Sequence, residues 1–77
     1  EGTVVQVAEQ IVFSRRAYDE MVERIIDRLQ KEQRLTVADV RTMFSTSRKY
    51  AVPLLEHLDQ QRVTQRLGDE RILVKLK

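Results

Sequence analysis

Cysteine and tryptophan are missing from this 77-residue chain, and proline and histidine occur once each. Without cysteine there is neither a disulfide framework nor a thiolate metal site, which fits a reducing compartment and makes the cytoplasm the expected location. One histidine with no cysteine beside it cannot assemble a zinc site. No Ser/His/acid or Cys/His arrangement is available and no G-x-x-x-x-G-K phosphate loop occurs, so the chain is expected to be no enzyme and to need no cofactor. No apolar run approaches the roughly 18 residues of a membrane span, so no membrane partner is expected. The two glycines and single proline leave no low-complexity linker, and no internal repeat occurs. The chain therefore reads as one small domain, residues 1–77, with a modest core and a net stability of roughly 4 to 11 kcal/mol. It opens on Glu1 and not methionine, without a targeting pattern, so it is expected to be a fragment of a longer protein.

What is present is charge: 34% of residues against 42% hydrophobic, the composition of a folded globular domain. Net charge is only +2, but it is unevenly spread. Residues 1–13 carry two acids and no base, and residues 35–61 balance. From Arg62 onward, Arg62, Arg66, Arg71, Lys75 and Lys77 face only Asp69 and Glu70. A basic C-terminal segment on a near-neutral body points to a localised anionic partner, with ordinary solvated surface as the alternative on charge alone.

Thr3 to Val7 and Ile11 to Phe13 are β-branched or apolar runs separated by Ala8, Glu9 and Gln10, which predicts a short hairpin or two short extended pieces. Ser14 can cap a long helix ending near Glu32, because Ala17, Met21, Val22, Ile25, Ile26 and Leu29 recur at three- and four-residue spacing. Pairs such as Glu20–Arg24 and Asp27–Lys31 lie four apart on it. Thr36-Val37-Ala38-Asp39 matches a capping box, so a second, shorter helix should run to about Phe44 with Val40 and Phe44 inward. A third helix follows Ser45 and Thr46, with Ala51, Leu54, Leu55 and Leu58 as one apolar stripe. Val63 to Leu67, the turn Gly68-Asp69-Glu70 and Arg71 to Leu76 form a second hairpin, to which Leu35 can add a short strand. The fold class is α+β, mainly α: a winged helix, three helices with a helix-turn-helix followed by a β-hairpin wing.

At about 100° per residue, the stripe on the third helix turns Lys49, Pro53, Glu56 and Gln60 outward, with Arg48 on one flank and Tyr50 and His57 on the other. Glu56 and Asp59 on or near that face would repel phosphates, and such a helix is a poor reader of a DNA major groove. Pro53 removes a backbone donor and is expected to bend or loosen the first turns. His57 is expected to pack beside Tyr50. The helix start instead concentrates donors: Ser47, Arg48, Lys49 and the free amides at the positive end of the helix dipole, which suit phosphate oxygens. Across the fold the second hairpin offers Arg66 and Arg71 on either side of Gly68.

The motifs Leu35 to Arg41 (L-T-V-A-x-x-R), Ser47 to Glu56 (S-R-K-Y-A-x-P-L-L-E), Leu58-Asp59 and Thr64 to Asp69 (T-x-R-x-G-D) resemble the last winged-helix domain of SelB, the family of bacterial selenocysteine-specific elongation factors. The resemblance covers about half the chain closely. It implies an RNA-binding module for translation, in a parent that carries selenocysteinyl-tRNA to the ribosome with GTP. The partner implied is a hairpin in the messenger, the selenocysteine insertion element beside an in-frame UGA, whose loop this domain grips to tether the factor. The upstream winged-helix domains of the same chain are further implied partners, and the domain itself is expected to be a monomer. The RNA-binding residues implied are Ser47, Arg48, Lys49, Tyr50, Arg66, Gly68 and Arg71. Gln65 stands where a second base is expected in T-R-R, so one wing contact is expected to be weaker or missing.

RNA hairpins suit such a cluster, because A-form duplexes hide their major groove and are read in loops, with phosphates setting position. Four or five phosphate contacts would make affinity fall roughly a thousandfold for each tenfold rise in salt. Two rivals share the fold: a DNA-binding regulator, and a protein-interaction winged helix that stacks on a neighbouring domain through the acidic N-terminal strand or through Val4 and Val5.

Overall fold

Ser14 closes one element and opens the next. The computed structural model describes residues 3–74, and in it strands β1 (Val4–Ala8) and β2 (Ile11–Ser14) pair antiparallel with Val5 opposite Phe13 and an irregularity between Gln6 and Ala8. The Ser14 hydroxyl accepts from the Ala17 amide at 3.1 Å and so caps helix α1 (Arg15–Glu32). The helix stops where Gln33 turns left-handed, at φ 69°, and its N–H returns to the Leu29 carbonyl.

The capping box at Thr36 forms in both directions. Its hydroxyl accepts from the Asp39 amide at 3.1 Å, and the Asp39 carboxylate accepts from the Thr36 amide at 3.0 Å, starting helix α2 (Val37–Phe44). Just before it, β3 (Leu35–Thr36) adds to the wing as anticipated, Leu35 pairing with Arg71. Ser45, left-handed at φ 50°, ends α2, and helix α3 (Arg48–Gln60) follows. The wing is β4 (Thr64–Leu67) and β5 (Glu70–Leu73), in the sheet order β3-β5-β4. Its turn is the two residues Gly68 and Asp69, since Glu70 already pairs with Leu67. Gly68 sits at φ 63° with open space around it, so backbone conformation and not crowding calls for glycine there. The strand ends at Leu73; Leu76, the expected end of that run, lies outside the described residues, as do Lys75 and Lys77 of the basic tail.

One core joins these pieces: Ile25 and Leu29 from α1, Leu35, Val40 from α2, and Ala51, Leu54, Leu55 and Leu58 from α3. Each fully buried leucine or isoleucine contributes roughly 1.5–3 kcal/mol. Phe44 packs against the core only partly buried. Along α1, Asp27–Lys31 forms at 3.3 Å and so does Arg15–Asp19 at 3.4 Å, both exposed and worth little. Arg24 is not paired with Glu20; its guanidinium lies over the Phe44 ring, 5.3 Å from the centroid. Among the described residues no helix is long and apolar enough to cross a membrane.

Candidate nucleic-acid interface

Helix α3 begins at Ser47, whose side chain makes no capping bond while its carbonyl accepts from the Tyr50 and Ala51 amides at 3.1 and 2.9 Å. The hydroxyl and the first amides of α3 are thus left to an outside acceptor, and the first turn holds no acid to compete. Helical phase then separates the next residues. Arg48, with Val52 and Glu56 below it, faces an open cleft whose other walls are the start of α2 (Thr36 to Ala38) and the wing residues Arg66, Asp69 and Arg71. Tyr50, 41% exposed, lies on the opposite flank with Phe13, Phe44 and Leu54, and Lys49 Nζ sits 5.7 Å over its ring. Arg48, Arg66 and Arg71 are therefore brought together, whereas Lys49 and Tyr50 form an adjoining pair around the helix end.

Among the described residues, neither Arg48, Lys49 nor Arg66 is ion-paired to a carboxylate. Arg66 Nε donates to the Gly68 carbonyl at 2.8 Å. This ties the arm to the turn through its Nε alone, so Gly68 both shapes the turn and supplies the carbonyl that orients Arg66.

Arg71 corrects the sequence reading. It is 4% exposed, and its Nη2 and Nε donate to the two Asp59 oxygens at 3.0 and 3.5 Å. The expected free wing cation is a buried, neutralised one, because β5 is the central strand of its sheet and this face of it meets the end of α3. Asp59 is corrected with it. Placed near the outward face by helical phase, its carboxylate instead turns to the wing and also accepts from Thr64 Oγ1 at 2.6 Å. One of the two acids weighed against nucleic acid is therefore quenched, while Glu56 stays exposed in the cleft. His57 packs edge-on against Tyr18 of α1, 5.6 Å between centroids, and not beside Tyr50. Burial, opposed by nearby Arg15 and aided by Asp19, pushes the Tyr18 phenol above its ordinary value. Pro53 is absorbed inside a continuous helix with a trans peptide bond.

Sequence reading missed the part of Asp59 and Thr64. The local signal was an acid in the last turn of a helix followed five residues later by a hydroxyl opening a strand, a spacing without meaning until the chain folds back.

Residues 27–73 match the family model described as elongation factor SelB, winged helix. The chain is 33% identical over 75 residues to a selenocysteine-specific elongation factor of Desulfomicrobium baculatum, which takes in 97% of this chain but 12% of that protein. In three dimensions it is similar to the mRNA-binding domain of elongation factor SelB from E. coli, solved in complex with SECIS RNA. The TM-score there is 0.86 at 24% identity, over 96% of this chain and 61% of that one.

Proposed function

We propose, from the premise that the chain belongs to the winged-helix family of elongation factor SelB, that it is the RNA-binding module that holds such a factor on an mRNA hairpin. The observation that carries the reading is the cleft itself: Arg48 at the start of α3 and Arg66 on the wing, without carboxylate partners among the described residues, stand across from one another in a two-walled site. A looped or bent backbone can enter between two such walls and be held by both, whereas a straight duplex laid across the cleft also meets the acids Glu56 and Asp69 that line it. The E. coli domain of like fold was solved on SECIS RNA, which supports the same ligand class here. In this reading the domain supplies affinity and needs no cofactor, and it acts as a monomer in the cytoplasm. GTP hydrolysis and tRNA delivery belong to other parts of a longer protein, and its upstream winged-helix domains are further partners of this one.

The test is a titration with an RNA hairpin carrying an unpaired purine, against the same stem as perfect RNA duplex and as DNA duplex, at one near-physiological salt concentration. Preference for the looped RNA by about a hundredfold is expected, corresponding to roughly 2.7 kcal/mol. Replacing Arg48 and Lys49 together by alanine is expected to abolish that preference while leaving the melting temperature within a few degrees. Equal, weak binding to all three ligands would reject the reading and turn attention to a protein partner.

A further inference from the structure

We infer that Asp59 is a positioning residue for RNA binding, an acid that increases affinity for a polyanion by holding the wing where Arg66 can reach it; the inference rests on the function proposed above. Arg66 and Arg71 are direct cross-strand partners in the β4–β5 ladder. Directly opposed residues project from the same face with Cβ atoms about 4.5–5.5 Å apart, and like charges so placed repel. Thr64 lies two residues before Arg66 and hence on that same face, roughly 7 Å away along the strand. One carboxylate from the last turn of α3 answers both: Thr64 donates to it at 2.6 Å and Arg71 at 3.0 Å.

The two donors are buried, with Thr64 2% and Arg71 4% exposed, so the contact is enclosed where the end of α3 meets the wing, while Arg66, opposite Arg71 in the ladder, is exposed. Glu70, the neighbour of Arg71 in β5, is paired with Arg34 at 3.4 Å, and Arg62 bonds the Asp59 carbonyl through its backbone N–H; among the described residues only Asp59 is ion-paired to Arg71. Asp59 therefore performs two tasks at once. It discharges Arg71, which would otherwise push against Arg66, and it ties both wing strands to the helix whose first residue, Arg48, forms the facing wall of the cleft.

The inference gives a sign opposite to simple electrostatics. Exchanging Asp59 for asparagine raises the formal net charge from +2 by one unit, and charge alone would tighten binding to any RNA. The positioning role instead requires Asp59→Asn to weaken hairpin binding by about tenfold or more, and requires Arg66→Ala, costly in the native background, to add less than about twofold once Asp59 is gone. Thr64→Ser keeps the hydroxyl and is expected to bind within about twofold of native, while Thr64→Val keeps shape but not donor and is expected to lose affinity. This pair decides the matter if Asp59→Asn does not fold. Unchanged or tighter binding by Asp59→Asn, or a full Arg66→Ala loss in its background, would overturn the role. An RNA-free readout separates this from the function itself: in Asp59→Asn, amide-exchange protection in β4 and β5 should fall while that of α1 and α2 persists. A native domain without hairpin preference sinks the proposed function and with it the role in RNA binding, whereas unaltered wing protection in Asp59→Asn, with hairpin preference intact in the native domain, sinks the positioning role alone.

Discussion

Arg62 holds a left-handed backbone, φ 63°, one residue beyond the end cap of α3. Its N–H bonds to the Asp59 carbonyl and the Val63 N–H to that of Leu58, the paired bonds by which many helices terminate at glycine. A side chain there crowds its own carbonyl, so Arg62→Gly is expected to raise stability by about 0.5–1 kcal/mol, read as a higher urea midpoint. Arg71 shows how residue identity misleads when exposure is unknown: a basic residue beside a wing glycine reads as a contact, and its burial against Asp59 makes it a support. His57 likewise chooses Tyr18, a residue of another helix, over its neighbour Tyr50.

The second helix has eight residues and one fully buried side chain, so its start carries much of its definition. Such short helices are marginal without caps and packing. Thr36→Ala removes the hydroxyl from the capping box and is expected to cost about 0.5–2 kcal/mol, seen as a lowered midpoint in chemical denaturation. Because Thr36 is also the last residue of β3 and lines the cleft, the same variant is expected to weaken RNA binding modestly if α2 frays. At this scale the sequence was highly legible. Three-residue caps, a period near 3.6 and a glycine turn act within a few residues, and they located all three helices and the wing hairpin, while the β-branched runs before Ser14 left a hairpin and two separate extended pieces both open. The α3 stripe of Ala51, Leu54, Leu55 and Leu58 is buried as its spacing requires.

Across the whole molecule, the charge available to a ligand is smaller than the count of bases suggests. With Arg71 neutralised, the expected contact residues among those described that keep an unpaired charge are Arg48, Lys49 and Arg66. Three contacts at about 0.7 each give a slope near two, so affinity for a hairpin is expected to fall about a hundredfold per tenfold rise in salt, not the thousandfold that four or five contacts would give. Binding isotherms at several salt concentrations measure this directly. A slope of three or more would require further cations in the interface.

The amino-acid sequence by itself determined the order and kind of the elements, the core stripe of α3 and the winged-helix class, because each depends on periodicity and caps that operate over one or two turns. It also placed Ser47, Arg48 and Lys49 at the start of a helix, where their chemistry could be read. Only the tertiary structure decided which charges remain available. Arg66 and Arg71 share one face of one hairpin, and nothing local distinguishes them. The docking of the end of α3 against the wing buries Arg71 on the central strand and leaves Arg66 on the edge strand in solvent. Removing a guanidinium from water demands a partner, and Asp59 becomes that partner only when residues twelve positions apart in the chain are folded together.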